Sequence, residues 1–385
     1  MKVFIIIPSL GGGGAERVGV LLTQGLNERG NEIKIFSNLS MEKNYKLPAE
    51  IKTVDIGFSG KNKIRRWIKS IKLIRKYSKQ CNPDVVIGIM SVCSLLGYIA
   101  TIGLRIPVVE TIHSSLEKPQ YAPMSLWEKF YKFYLSIIYD KVTILTEADK
   151  AIADRRLRNV IVMPNPLAAI PITTIVPRKS IMLAAGRLDD WHCKGFDVLI
   201  RAWALVNGKL RIDNGQLSYK GESWKLQIAG TGSEKSLNYL KQLCEESGVE
   251  DSVEFLGFRN DVEKLYQKAS IFVLSSRYEG FGLVLIEAMS QGCACVACDY
   301  KGRQREILSP TPALPRREGA FEACETGILC EPDDVESLAA GLRKMIEDDE
   351  YRESVRAKAI ERSKYYSIEN TVDRWELLLN KVVKR

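Results

Sequence analysis

A chain of 385 residues is too long for one ordinary hydrophobic core, so two domains are expected. With 27% charged and 45% apolar residues the composition is that of a soluble globular protein, which excludes a disordered or fibrous chain. The net charge of +9 favours acidic partners and leaves nucleotides, nucleic acid and anionic membranes open.

The N-terminal "MKVFIIIPSL" has a short apolar run with no small-residue cleavage site and is not a signal peptide; it reads as a buried strand. The cysteines, an odd 9 and scattered, then read as reduced cytosolic thiols. Helical periodicity follows over Ala15 to Glu28, then the strand "NEIKIF". Residues 61–79, "KNKIRRWIKSIKLIRKYSK", carry nine cations and no acid, with Ile64, Trp67, Ile68, Ile71, Ile74 and Tyr77 at helical spacing. This basic amphipathic helix suits an anionic membrane surface, or else lays its apolar stripe on the core with a solvated basic face. Val85 to Leu104 is twenty residues without a charge, long enough to span a bilayer. It reads instead as a buried strand over Val85 to Ile89, a turn at Ser91 and a buried helix to about Ile102. "IPVVET", "KVTILT" and "VIVMPNPL" are further strands. Between them Trp127, Phe130, Tyr131 and Tyr134 fall at helical spacing, which is expected to be core packing.

Residues 169–179 hold two prolines and no helical pattern, and read as a linker. The alternation then restarts over "SIMLAAG", "KLQIAG", "VEFLGF", "IFVLSS" and "ACVACD", with helices from Phe196, Ser233 and Leu283 and a helical tail from Asp334. Strands alternating with helices predict an α/β chain of two doubly wound Rossmann-like domains with parallel sheets, 1–168 and 180–365, facing across a cleft, and residues 366–385 form a C-terminal helix. Cys293, Cys295 and Cys298 lack the paired spacing of a zinc site and fall on an expected buried strand.

Three loops can carry chemistry. In "PSLGGGGAERV" the glycines between strand and helix let backbone amides approach an anion, without the spacing of a dinucleotide fingerprint. In "AAGRLDDWHCKGFD" Arg187 and Lys194 flank a helix N-terminus, as a diphosphate seat or as a solvated pair. In "SSRYEGFGLVLIEA" Gly280 and Gly282 open a helix whose first amides can bind phosphate oxygens. The carboxylates of Glu279 and Glu287 would repel phosphate and should face hydroxyls, although Glu287 taken alone reads first as complementing the helix dipole.

"GGGGAERV", "GRLDD", "KGFD", "IAGTGSE", "LGFRND" and "EGFGLVLIEA" stand in the order found in retaining family 4 glycosyltransferases of the GT-B fold, which the chain resembles over nearly its whole length. The resemblance implies that Arg187 and Lys194 hold the donor diphosphate. It gives Glu279 the transferred sugar and Glu287 the ribose, with amides at Gly282, Leu283 and Val284 on phosphate and sugar. Phe258 and Arg259 would line the nucleobase pocket, and Gly13 and Gly14 would approach the phosphate. His113 alone reads as structural, but it matches the family's active-site histidine. The C-terminal helix would cross back to the first domain. The implied reaction is metal- and cofactor-independent transfer of a hexosyl or N-acetylhexosaminyl group from a nucleotide-sugar, a UDP-sugar, to a lipid-linked or growing glycan, for example on polyprenyl diphosphate. The enzyme would be cytoplasmic and peripheral on the membrane, with no nucleic-acid partner. A sugar epimerase or phosphorylase of the same fold and a non-catalytic membrane scaffold are the alternatives. The chain departs from the family at about Ser309 to Cys324, a Pro- and Arg-rich insertion expected to be a mobile loop.

Overall fold

The computed structural model describes residues 1–384 other than 12, 41–44, 58–62, 175, 176, 210, 211, 214, 215, 220, 221 and 310–318. It divides into two compact units, Met1–Ala168 with Tyr366–Arg385, and Ala169–Tyr365.

The first unit runs β1 (Lys2–Ser9), α1 (Gly14–Glu28), β2 (Glu32–Asn38), β3 (Lys52–Asp55), α2 (Lys63–Cys81), β4 (Val85–Ile89), α3 (Ser91–Thr101), β5 (Val108–Thr111), α4 (Leu126–Phe133), β6 (Lys141–Ile144), α5 (Glu147–Ala153) and β7 (Val160–Val162). The strands form one sheet in the order β3-β2-β1-β4-β5-β6-β7, every pairing parallel. Because both faces are covered, β1 is apolar from Val3 to Pro8: Val3, Ile5 and Ile7 enter one core, Phe4 and Ile6 the other. The uncharged run from Val85 resolves into β4 and α3. No helix among the described residues is long and apolar enough to cross a membrane.

The basic helix forms as α2; residues 61 and 62 lie outside the described residues. Ile74 is buried, yet Ile64 and Ile68 in its first half are exposed. The expectation for the aromatic stretch is corrected. Phe133 and Tyr139 are buried, but Trp127, Phe130 and Tyr134 are exposed, because α4 turns Lys132 and Phe133 inward instead.

The second unit runs β8 (Lys179–Ala185), α6 (Trp191–Lys194), α7 (Phe196–Lys209), β9 (Ile212–Asp213), β10 (Gln216–Tyr219), β11 (Glu222–Ser223), β12 (Lys225–Ala229), α8 (Glu234–Glu246), β13 (Val253–Gly257), α9 (Val262–Lys268), β14 (Ala269–Leu274), α10 (Leu283–Ser290), β15 (Ala294–Cys298), α11 (Arg303–Leu308), β16 (Phe321–Cys324), β17 (Gly327–Cys330), α12 (Val335–Glu347) and α13 (Asp349–Ser363). Its sheet has the order β13-β12-β8-β14-β15-β17-β16, parallel but for β16, while β9 to β11 make a small antiparallel ribbon. Cys293 precedes β15 and donates its thiol to the Tyr266 carbonyl at 3.0 Å; Cys295 and Cys298 are buried on the strand. The linker expectation is corrected in part: Ile172 N–H donates to Ser290 O at 3.0 Å, so this stretch lies on the second unit. The insertion also departs from a plain loop. Residues 310–318 lie outside the described residues, but β16 pairs with β17, and Arg305 grips Glu322 with two bonds of 2.6 and 2.5 Å.

The last helix, α14 (Ile368–Val383), belongs to the first unit, where Trp375 and Leu379 share a core with Leu22 and Leu26 of α1. Gly25 permits the approach: a Cβ there would fall 2.4 Å from Val372 Cγ2. Replacing Gly25 by Leu should therefore cost about 1–3 kcal/mol by overpacking, read as a lower denaturant midpoint at unchanged slope.

Candidate functional site

In the second unit the carboxyl ends of β8, β12 and β14 are drawn together by backbone contacts that only glycine permits. Gly230, at φ +150°, would place a Cβ 1.8 Å from the Gly186 carbonyl oxygen. Gly195 ends α6 in the left-handed region, and a Cβ there would lie 2.0 Å from the Ser275 carbonyl oxygen. The α6 turn thus lies against the end of β14: Arg277 N–H donates to Cys193 O at 2.9 Å, and Ser275 Oγ donates to Lys194 O at 2.8 Å.

That packing delivers Lys194 to the glycine turn. Its Nζ lies 2.7 Å from Glu279 Oε1, which also accepts from Ser276 Oγ at 2.9 Å. The lysine side chain is 24% exposed and that of Glu279 15%. The Glu279 charge raises the Lys194 pKa against the opposing effect of burial, so the ammonium stays protonated. Gly282, at φ +103°, starts α10 and leaves the amides of Leu283 and Val284 in its first turn, where an α-helix offers unpaired donors. Glu287 is buried and lies beyond that first turn, which removes the simple dipole reading.

Arg187 is 81% exposed and paired with Asp190 at 2.6 Å across the short turn that it begins. Phe258 follows the left-handed Gly257 with a 77% exposed ring, and Arg259 is held bidentately by Asp261 at 2.8 Å. One organising residue escaped the sequence reading. Arg277 is buried, makes bonds of 2.7 and 2.8 Å to Asp197, a third of 2.7 Å to Asp333, and donates to the His192 carbonyl at 2.7 Å. Burial alone would lower its pKa; the two aspartates hold it above the ordinary value. The only sequence signal was its place between a strand end and the glycine turn.

The first unit carries its own cavity of about 610 Å³, at the carboxyl ends of β4 and β5, lined by Glu16, Met90, Thr111, His113, Tyr131 and Lys132 among others. His113 sits between Thr111 Oγ1 at 2.9 Å and Asn165 Oδ1 at 3.1 Å. Burial lowers its pKa to about 4, against the Asn165 bond, so the ring is neutral near pH 7. Glu110, also missed, is buried on β5 next to the cavity-lining Thr111, with Ser136 Oγ donating to it at 2.5 Å; burial raises its pKa to about 7. At the α1 N-terminus a Cβ on Gly13 would fall 1.9 Å from Glu16 Oε2. The Glu16 carboxylate thus lies beside Gly13 at this helix start, and Gly12 lies outside the described residues. Among the described residues no three His, Cys, Asp or Glu side chains are grouped to hold a metal.

Solved structures share this architecture. Anabaena HepE in complex with UDP matches at TM-score 0.75 and 19% identity, covering 99% of this chain and 100% of that one. Sucrose-phosphate synthase from Thermosynechococcus elongatus matches at 0.78 and 17%, covering 99% of each. The fold is GT-B. Residues 169–362 match the model described as glycosyl transferases group 1 and residues 12–170 that of glycosyltransferase family 4, and the chain belongs to this family. Among relatives, a Campylobacter jejuni protein named N-acetylgalactosamine-N,N'-diacetylbacillosaminyl-diphospho-undecaprenol 4-alpha-N-acetylgalactosaminyltransferase is 28% identical over 384 residues, 95% of each chain. The amylovoran biosynthesis glycosyltransferase AmsD of Erwinia amylovora is 25% identical over 393 residues, 98% of this chain and 99% of its own.

Two outcomes follow from this geometry. Arg277→Met would strand the buried Asp197 charge and should cost about 3–5 kcal/mol in chemical denaturation. Glu110 is raised in the folded state, so its stabilising effect is complete below about pH 4.5 and is lost as pH rises through about 7. Glu110→Gln should remove that loss, and the variant should gain stability relative to the parent between those pH values, read from denaturation midpoints.

Proposed function

We propose that the chain transfers a hexosyl or N-acetylhexosaminyl group from a UDP-sugar to a lipid-linked or growing glycan, with retention of anomeric configuration and without a metal. The observation that carries this is the protonated Lys194 fixed beside a glycine turn that opens a helix. It places a cation and helix-end amides together, the donors that a departing diphosphate needs. The ion pair also explains how a carboxylate can stand next to a diphosphate: Lys194 offsets the charge of Glu279, whose other oxygen accepts from sugar hydroxyls.

In this reading an acceptor oxygen attacks the anomeric carbon as the bond from that carbon to the phosphate oxygen breaks. The acceptor proton passes to the departing phosphate oxygen, and the nucleoside diphosphate is released. Lys194 and the amides of Leu283 and Val284 stabilise the developing negative charge, joined by Arg187 once it leaves Asp190. Glu287 takes the ribose hydroxyls, and Phe258 and Arg259 the base. The cavity of the first unit, with neutral His113 on its wall, receives the acceptor's reactive end. UDP and UDP-glucose bound in the Anabaena structures support the uridine donor, and the diphospho-undecaprenol in the Campylobacter name supports a lipid carrier. The basic face of α2 would draw such an enzyme to anionic headgroups.

Calorimetry with UDP, GDP and ADP should give binding for UDP. Lys194→Ala should weaken it roughly 10- to 100-fold, as loss of a charge-assisted bond of about 1.5–3 kcal/mol requires. Glu279→Ala should abolish transfer while UDP affinity stays within about threefold. Absence of binding for all three nucleotides would sink the reading.

A further inference from the structure

The α4 helix is turned inside out. It starts with a Ser125 cap that accepts from Glu128 N–H at 3.1 Å. Two of its charged residues then go inward, Glu128 and Lys132: Lys132 is buried and donates to Ser115 O at 2.9 Å and to Glu128 Oε1 at 2.9 Å, and Lys118 holds Glu128 from the other side at 2.7 Å. Apart from buried Phe133, its large apolar residues go outward: Leu126 is 85% exposed, Trp127 73% and Phe130 46%, with Tyr134 and Ile137 following. These side chains already brace one another. The Trp127 and Phe130 rings meet edge to face at 6.2 Å, and Phe130 stacks on Tyr134 at 6.2 Å and 17°.

Burying lysine while exposing tryptophan costs free energy in water, so the outer face is built for another medium. Its surroundings are basic. Lys129 is exposed, and the Arg156 guanidinium lies 5.6 Å over the Tyr134 ring, between exposed Arg155 and Arg158. The α2 and α4 helices contribute to the same core. Exposed Ile64 and Ile68, with exposed Arg65, Lys69 and Lys72, give the first half of α2 a similar apolar and basic exposure. A second copy of so basic a face would be repelled, whereas an anionic bilayer offers both counter-charge and an apolar layer.

We infer that the Leu126, Trp127, Phe130 and Tyr134 face of α4 enters the interfacial layer of an anionic bilayer, with Lys129 and Arg156 on the headgroups. The rim of the cavity, which α4 supplies through Glu128, Tyr131 and Lys132, is thereby set at the membrane surface. This deepens the lipid-linked-acceptor reading by assigning insertion to α4, where α2 supplies only attraction, and its test needs no transfer activity.

The full chain is mixed with phosphatidylcholine vesicles containing 30% phosphatidylglycerol and sedimented. The parent chain should partition to the vesicles, and Trp127→Ser with Phe130→Ser should lower the partition coefficient at least tenfold, with an unchanged thermal-unfolding midpoint without nucleotide as the control for folding. Lipids brominated on their acyl chains should quench parent fluorescence, and Trp127→Phe, which keeps the apolar face, should retain binding but lose that quenching. The inference is overturned if the parent does not sediment, if the double variant binds within twofold of it, or if quenching is equal with and without Trp127. It is also overturned if light scattering shows the double variant changing oligomeric state, which would make the face a contact between copies. Vesicle results stand apart from the nucleotide result, so failure of one reading leaves the other legible.

Discussion

The candidate donor site depends on one buried guanidinium. Arg277 ties the first turn of α7, through Asp197, to the end of β14 and reaches the loop before α12 through Asp333. Its bond to the His192 carbonyl closes the α6 turn onto the same strand end. A lysine could not make these four directed bonds from one planar group. With that turn fixed, Lys194 reaches Glu279 with its ammonium, and the glycine bend before α10 acquires its cation.

Much of this was legible in sequence for a physical reason. A strand buried on both faces must be apolar along its middle, and a helix that opens at positive φ favours glycine, so β1, β8 and Gly282 each announced themselves. The partnership of Lys194 with Glu279 was foreshadowed by two motifs, although neither said that they would bond to each other. Arg187 was read as Lys194's companion because seven residues of separation cannot reveal that Asp190 captures it first. Arg277 and Glu110 were silent, since a charged residue at a strand end ordinarily faces water, and nothing local marks it as enclosed.

The α4 helix shows a different limit. Periodicity places aromatic side chains on one face, but does not say whether that face meets protein or surroundings. Here the decision rests with Lys132, whose ammonium finds the Ser115 carbonyl and Glu128 inside, so the rings are left outside. A buried lysine with full partners thus reversed a helix whose composition looked like core. In the same unit, His113 and Glu110 are both driven toward neutrality by enclosure, so this part of the unit carries less charge than its residue types suggest.

The return of α14 to the first unit has a consequence for biosynthesis. Trp375 and Leu379 complete a core begun by Leu22 and Leu26, yet a ribosome makes them only after the whole of Ala169–Tyr365. The earlier-made unit must wait with an apolar groove along α1 open, while the later-made unit can close first. Nascent chains should therefore depend on chaperone cover longest at their oldest end, reversing the usual order in which domains mature during translation.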